Sequence, residues 1–518
     1  MVNKLKIEDE RLRLQEELDS KKSQKDRNRM GQFSTPTHLA DEILGYAKSL
    51  IGNPPNVDML NPACGTGAFF SALLKNIPSA VIGKINGFEI DSHYSIPAKK
   101  LWRKNNISIE TKDFTTIVPP NYVERFNLLI CNPPYCRHQH VGFETKNRLK
   151  RFISKTFGIS VSGLASLYLY FIFLSHLWLK NDAISGWLIP TGFIDVNFGK
   201  ALKEYLLKHV QLLHIHRFDA NDLQFSDALV SSSIIWFKNR RPERFSINFS
   251  FGGTLSNPKY FYQIPYNNLK TNLKWSNFFR KDAIYIKKNY KLSDLFIIKR
   301  GVQTGSNNFF IVNKDTIHEF DLPLNFLRPI LPKQSSLQQN LIEGDKNGIP
   351  IIENKLYLLD CDLTENIIRD KYPTLWGYLK IGIESGIAEN YTCSRRTPWY
   401  SQEKRKPPLF FAKYMGRKTV ANSGNPFKFF LNDSSAIATN SYMLIYPKPE
   451  FEKLISAEPD LRNEIFNCLE NLPSDLLLNE ARVYGGGLYK LEPNEFLDVS
   501  ANEIIRSIPS LKRILVAG

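Results

Sequence analysis

The stretch VDMLNPACGTGAFFSALLKN, Val57 to Asn76, constrains this chain most. A short apolar strand runs into a Gly-containing turn and then straight into an apolar helix. The same alternation continues downstream. VIGKINGFEID reads as a second strand ending in acid, and FNLLICN as another. GLASLYLYFIFLSHLWLKN reads as a helix, and AISGWLIPTGFI, LLHIHRF and SSSIIWFKN as further strands. Strands that alternate with helices predict an α/β fold, a parallel or mixed sheet with helices on both faces.

At 518 residues the chain exceeds one ordinary core, so two or three domains are expected. Residues 1–28 alternate charge with Leu and Ile, which predicts a solvated helix that docks loosely or not at all. The α/β pattern occupies 29–245. Helical periodicity then weakens while aromatics, Asn, Lys and Pro increase, so 246–290 reads as a linker and lead-in, and 291–518 as a second domain of mixed α+β character.

Charge narrows the class of partner. The 68 Lys and Arg against 51 Asp and Glu leave +17, with pI near 9.3, and nucleic acid is the commonest acidic partner of such a surface. The six cysteines form no CxxC pair, so no metal site is expected. The charged opening residues do not read as a signal peptide, and Gly163 to Leu179 is short for a membrane span and contains His176. A buried helix in a cytoplasmic protein without membrane contact fits these features.

Three motifs follow strand ends in order. Glycines in NPACGTG, Asn61 to Gly67, let a ligand approach the backbone at a helix start. Glu89 in GFEID ends the second strand, where a carboxylate can hold both hydroxyls of a ribose. In TKDF, Asp113 can accept from an adenine amino group and Phe114 can pack on the ring. The phosphate-binding GxGxxG pattern is absent, which favours a nucleoside cofactor without a pyrophosphate.

The order GQFSTP, NPACGTG, FEID, DF, NPPY resembles the amino-group DNA methyltransferases, most closely the N6-adenine class in its gamma arrangement. The resemblance covers residues 29 to 240, and extends more loosely into the second domain through LFIIKRGVQTGSNNFF and RVYGGGLYKLEP. It implies an S-adenosylmethionine-dependent, Rossmann-like domain followed by a target-recognition domain. Thr35 and Pro36 match the motif that closes over the methionine end of S-adenosyl-L-methionine. Ala63, Cys64, Gly65 and Gly67 match the turn beneath the cofactor. Glu89 and Ile90 match the ribose clamp and its apolar neighbour, and Asp113 and Phe114 the adenine pocket. One position departs: Asn61 stands where the family usually has an acid, so its amide oxygen could still accept from the methionine amine, but without a charge pair.

The resemblance assigns catalysis to Asn132, Pro133, Pro134 and Tyr135. Adenine N6 is a weak nucleophile because its lone pair is delocalised. Two acceptors on its N–H bonds, the Asn132 amide oxygen and the Pro133 carbonyl, would orient the amine toward a methyl group. Prolines make that corner rigid, and Tyr135 offers a stacking face. The base must be flipped out of the duplex, and Phe225 matches a second aromatic wall.

In the second domain Cys393 to Lys418 is the densest basic and aromatic cluster, and Arg395, Arg396, Lys404 and Arg405 are candidate contacts to double-stranded DNA. The expected enzyme is a monomeric adenine-specific methylase, paired with a separately encoded cognate restriction endonuclease. Three alternatives stay open: an N4-cytosine methyltransferase, a relative that binds DNA without catalysis or methylates RNA or protein, and a bifunctional restriction-methylation enzyme. The latter would need a nuclease domain, and no PD…ExK pattern stands out in the chain.

Overall fold

The computed structural model describes residues 2–136, 141–195, 197–219, 232–243, 245–279, 290–418, 425–484 and 487–511. The chain divides into two compact units. One comprises residues 1–284 with 483–487, the other 285–482 with 488–518.

The first unit is built on a nine-stranded sheet. Its strands are β1 (Val57–Asn61), β2 (Ile82–Glu89), β3 (Ile107–Thr111), β4 (Phe126–Cys131), β5 (Leu179–Pro190), β6 (Gln211–Arg217), β7 (Ser232–Lys238), β8 (Ser246–Gly253) and β9 (Pro258–Pro265). They lie in the order β3-β2-β1-β4-β5-β7-β6-β8-β9. The β3-to-β5 half is parallel, while β7 runs antiparallel to both β5 and β6. The sheet is therefore mixed, as the alternation predicts.

Helices cover both faces, and the two-residue period of the strands shows which side each residue serves. Leu128 and Ile130 of β4 join a core with α3 (Thr37–Ile51), α4 (Ala68–Asn76) and α5 (Ser92–Trp102). Leu129 and Cys131, one residue out of phase, join a core with α6 (Phe143–Phe157), α7 (Leu167–Ser175) and α8 (Lys200–Lys208). The apolar run from Gly163 is thus a buried helix, shorter than expected. It ends in a 3₁₀ turn at His176–Trp178, and Leu179 already begins β5. No helix among the described residues is long and apolar enough to cross a membrane.

Two expectations need correction. Residues 246–265 are not a linker: β8 and β9 extend the sheet. Ile247 and Phe249 are fully buried, and the Phe249 ring meets Trp275, Phe278 and Phe279 at 5.1–6.1 Å. Of the aromatics that blurred the helical pattern, Phe249, Trp275, Phe278 and Phe279 are core residues. Nor is the N-terminal helix loosely held. In α1 (Val2–Ser20), Arg11 is 1% exposed and donates to Glu8, and to the hydroxyls of Thr66 and Thr37 at 3.3 Å. A buried guanidinium survives only when its hydrogen bonds are met, and here the helix meets them by docking.

The second unit carries a five-stranded sheet in the order Phe296–Arg300, Tyr442–Pro447, Phe410–Lys413, Lys428–Asp433, Leu341–Glu343, with a three-stranded sheet of Ile311–Val312, Leu356–Leu359 and Leu327–Ile330. Helices such as Pro373–Glu384 and Leu461–Glu470 pack with them, giving the expected α+β character.

A buried polar chain crosses the first unit's sheet. The Tyr46 hydroxyl of α3 meets His214 Nδ1 at 2.7 Å, and Ser250 Oγ bridges His214 Nε2 and His216 Nδ1 at 2.6 and 2.8 Å. Burial lowers the pKa of His214 to about 4; burial, with help from His214, lowers that of His216 to about 3. Both rings are neutral in the fold. Above the ordinary value of 6.5 neither state binds these protons, so stability is flat there. As pH falls from 6.5 toward 4 the unfolded chain takes up protons that the fold refuses, and stability is lost. The thermal midpoint should fall over that window, and fall less steeply in His214→Gln/His216→Gln. Equal slopes in scanning calorimetry would remove these rings from the acid response.

Candidate active site

The segments that follow β1, β2, β3 and β4 line one cavity of about 530 Å³ in the first unit. This is the size of a small-molecule site, and it lies where open α/β sheets bind ligands, beyond the carboxyl ends of their strands. Ala63, Gly65, Glu89, Ile90, Asp113, Phe114, Asn132 and Pro134, all singled out from sequence, line it together.

Each strand end sets its side chain in a definite way. Glu89 closes β2 half-buried, with Oε2 accepting the Gly65 N–H at 3.1 Å and Oε1 the Asp91 N–H at 2.9 Å. Burial pushes its carboxyl above the usual range. Ile90 leaves an apolar side chain 55% exposed beside it. Asp113 caps the turn after β3 by accepting from the Thr115 N–H at 2.9 Å. Phe114 is buried against Phe88, Phe171 and Trp178 at 5.2–5.6 Å. The cavity thus has an apolar end, of Ile90, Phe114, Leu167 and Phe171, with carboxylates at its margin.

The Gly turn serves differently from the expectation. Asn61 is 1% exposed and does not line the cavity. Its Oδ1 accepts from the Ala63 N–H at 3.3 Å, so the amide that replaces the family's acid braces the turn from within. Cys64 is buried, its N–H donating to the Phe88 carbonyl at 2.8 Å. Gly67 starts α4 at φ +93°, and a Cβ there would sit 2.4 Å from Trp102 Nε1. These residues hold the turn's shape, while Gly65 presents its N–H to Glu89.

The NPPY corner is pinned from the other side. Asn132 Nδ2 donates to the Phe33 carbonyl at 3.0 Å and to Thr35 Oγ1 at 3.1 Å. A backbone carbonyl only accepts, so this contact fixes which way the amide faces. Asn132 Oδ1 is left buried with no partner among the described residues. Thr35 is buried, and Pro36 caps α3; both act behind the cavity wall rather than on it. Pro133 is buried and does not line the cavity, whereas Pro134 does. Tyr135 also lies off the lining. Its hydroxyl donates to the Leu188 carbonyl at 3.1 Å and its ring is 5.5 Å from that of Phe33. The Tyr135 N–H donates to the Gly31 carbonyl at 3.1 Å, and a Cβ on Gly31 would meet the Tyr135 and Cys136 nitrogens at 2.5 Å. Glycine is required at 31 for the two segments to approach. Phe225 lies outside the described residues.

Sequence reasoning missed several residues. Gln15 and Asp19 of α1 line the cavity, as do Gln32 and Phe33. Arg148 of α6 donates to the Thr115 carbonyl at 2.7 Å and steadies the turn that carries Phe114. A signal did exist: Arg11, Gln15 and Asp19 recur every four residues, one stripe of a helix. In the second unit the basic candidates part ways. Lys404 is ion-paired with Asp360 and Asp362, Arg405 with Glu403, and Arg396 donates to Gln402 and the Thr304 carbonyl. Arg395 instead stacks its guanidinium 3.8 Å over Tyr391, which is 72% exposed. Among the described residues no cluster of His, Cys, Asp or Glu suits a metal.

Known proteins match this chain along most of its length. The Eco57I restriction-modification methylase model matches residues 70–224, and the C-terminal domain model of the type II methyltransferase M.Eco57I matches residues 279–514. The type II methyltransferase M.AccI of Acinetobacter calcoaceticus is 25% identical over 486 residues, covering 90% of this chain and 84% of that protein. M.XamI of Xanthomonas campestris pv. amaranthicola is 24% identical over 497 residues, covering 94% and 86%. The type IIL restriction-modification enzyme MmeI, solved in complex with DNA, shares the fold at a TM-score of 0.54 and 14% identity. That likeness covers 90% of this chain but 64% of MmeI, so the chain spans less than two thirds of that larger protein. With consecutive models of one enzyme type matching its two units, and relatives of the same kind along most of its length, the chain is a type II restriction-modification methylase, whose methyl donor is S-adenosyl-L-methionine.

Proposed function

We propose that the chain methylates N6 of an adenine turned out of duplex DNA, as the protective enzyme of a type II restriction-modification system. The observation that carries this reading is the Asn132 amide, on the cavity wall: its nitrogen is engaged by Phe33 and Thr35, and its buried oxygen has no partner among the described residues. An unsatisfied buried acceptor costs on the order of 1–3 kcal/mol, a cost repaid when a donor arrives. An exocyclic amine is such a donor.

S-adenosyl-L-methionine supplies an electrophilic methyl group on its sulfonium sulfur. Glu89 keeps lone pairs beyond the two backbone bonds and takes the ribose hydroxyls. Ile90 and Phe114 enclose the adenine ring of the cofactor, with Asp113 at its amino edge. Asn132 Oδ1 accepts one N–H bond of the target amine, and the resemblance gives the other to the carbonyl of Pro133, next to Asn132 but off the lining of the cofactor cavity; together they draw the amine toward tetrahedral geometry, aiming its lone pair at the methyl carbon. The methylated amine is cationic and sheds a proton readily, so no carboxylate base is required. Tyr135, tethered through its hydroxyl to Leu188, gives the flipped base a face, and Phe225 matches the opposite wall. The choice of adenine over cytosine rests on Asn132 heading the motif, where N4-cytosine enzymes more often carry Ser. DNA as substrate is supported by the +17 charge and by Arg395 on exposed Tyr391, which suits a phosphate or a base edge.

Incubation with methyl-labelled cofactor and mixed-sequence duplex DNA, followed by digestion to nucleosides, should place the label in N6-methyldeoxyadenosine. Label in N4-methyldeoxycytidine alone would exchange adenine for cytosine, and no label in DNA would end the proposal. Glu89→Ala should weaken cofactor binding by roughly 2–3 kcal/mol, the range for losing hydrogen bonds to a charged group. DNA affinity measured without cofactor should not change. An unaltered cofactor Kd in calorimetry would take the ribose away from Glu89.

A further inference from the structure

We propose that Asp19, on the last turn of α1, is the anionic partner of the cofactor's ammonium group, so that the N-terminal helix is a wall of the cofactor site. This rests on the cavity being the S-adenosyl-L-methionine site. The methionine end of that molecule is a zwitterion, and its ammonium needs an acceptor of negative charge in a partly enclosed cavity.

Among the described residues, three acidic side chains line the cavity: Asp19, Glu89 and Asp113. Glu89 bridges the Gly65 and Asp91 amides, and Asp113 caps its own turn at the apolar end. Asn61 is turned inward on Ala63 and does not line the cavity. Asp19 is the carboxylate that remains.

It is also the one held ready from several sides. Asp19 Oδ1 accepts from the Tyr94 hydroxyl of α5 at 2.8 Å, and Oδ2 accepts from Gln15 Nε2 at 3.0 Å, with Arg27 at 3.5 Å. A carboxylate offers about four acceptor positions, so these contacts orient it without filling it. Its side chain stays 21% exposed. Asp19 lies in the last turn of a helix of 19 residues, where the partial negative charge of the last carbonyls adds to its own.

The helix that carries it is fastened to both elements that bracket Glu89. Thr66, next to Gly65 in the Gly turn, donates to Gln15 Oε1 at 2.6 Å, and Arg11 reaches the same hydroxyl. His93 of α5 donates from Nε2 to the Leu18 carbonyl at 2.9 Å, and Lys22 pairs with Asp91. Asp19 therefore cannot drift relative to the ribose clamp. The buried Arg11 cluster, unexplained by catalysis, has a purpose in this arrangement: it keeps a charged helix seated so that one of its acids faces the ligand.

Calorimetry on Asp19→Asn with two ligands tests the assignment. S-adenosylhomocysteine carries the amino-acid end; 5′-methylthioadenosine has the same nucleoside and thioether without it. Asp19→Asn should weaken S-adenosylhomocysteine by about 10-fold or more, as for loss of a charge-assisted contact, and leave 5′-methylthioadenosine unchanged. Tyr94→Phe, which frees the carboxylate but keeps its charge, should give a smaller loss confined to the same ligand. Equal weakening of both ligands by Asp19→Asn would mean that the helix has come loose, and wild-type affinity for both would mean that Asp19 touches neither; each result overturns the assignment. A parent protein that binds neither ligand would instead overturn the cofactor site itself.

Discussion

The rest of the site depends on the two hydrogen bonds that Asn132 Nδ2 donates to the Phe33 carbonyl and Thr35 Oγ1. They join two segments almost a hundred residues apart, and they fix the orientation of one amide on the cavity wall. Gly31 makes the junction possible, because any Cβ there would strike the backbone of Tyr135 and Cys136. Prolines on one side and a positive-φ glycine on the other leave the corner little freedom to relax. The amide oxygen is therefore held in one orientation, with no partner among the described residues. Such preorganisation is the physical means by which a group with no charge and no useful acidity can assist a reaction.

The sheet supplies the frame for that junction. Parallel strands β1 to β4 end at one edge, so short segments after each of them converge on a single volume. The cores on the two faces, each filled by large aromatics, keep those strand ends in register. The N-terminal helix then completes a wall that the sheet alone leaves open. Two of its charged residues, Arg11 and Asp19, meet partners on the Gly turn and on α5, the hydroxyls of Thr66 and Tyr94.

Much of this could be read in the sequence, and what could not has physical reasons. Glu89, Ile90, Asp113, Phe114 and Asn132 were legible because each lies at or within three residues of a strand's carboxyl end, and strand ends converge in an α/β sheet. Asn61, Cys64 and Gly67 were legible as a motif but not in their role. Only packing shows that they shape the turn from behind. The docking of α1 was hidden because charge normally signals solvent, and the partners of Arg11 lie 26 and 55 residues away. Residues 246–279 looked like a linker because aromatics dense enough to fill a core also blur strand periodicity. The same distance effect governs the basic cluster: Asp360 and Thr304, which engage Lys404 and Arg396, lie 44 and 92 residues from them.

The most direct test is the single-turnover rate of methyl transfer by Asn132→Ala, with cofactor and duplex DNA both saturating and cofactor affinity measured alongside. An acceptor used when the amine turns tetrahedral should cost on the order of 100-fold in that rate, with the cofactor Kd near that of the parent. A rate equal to the parent's would contradict the account, because the buried oxygen on which the site is built would then do nothing to the reacting amine.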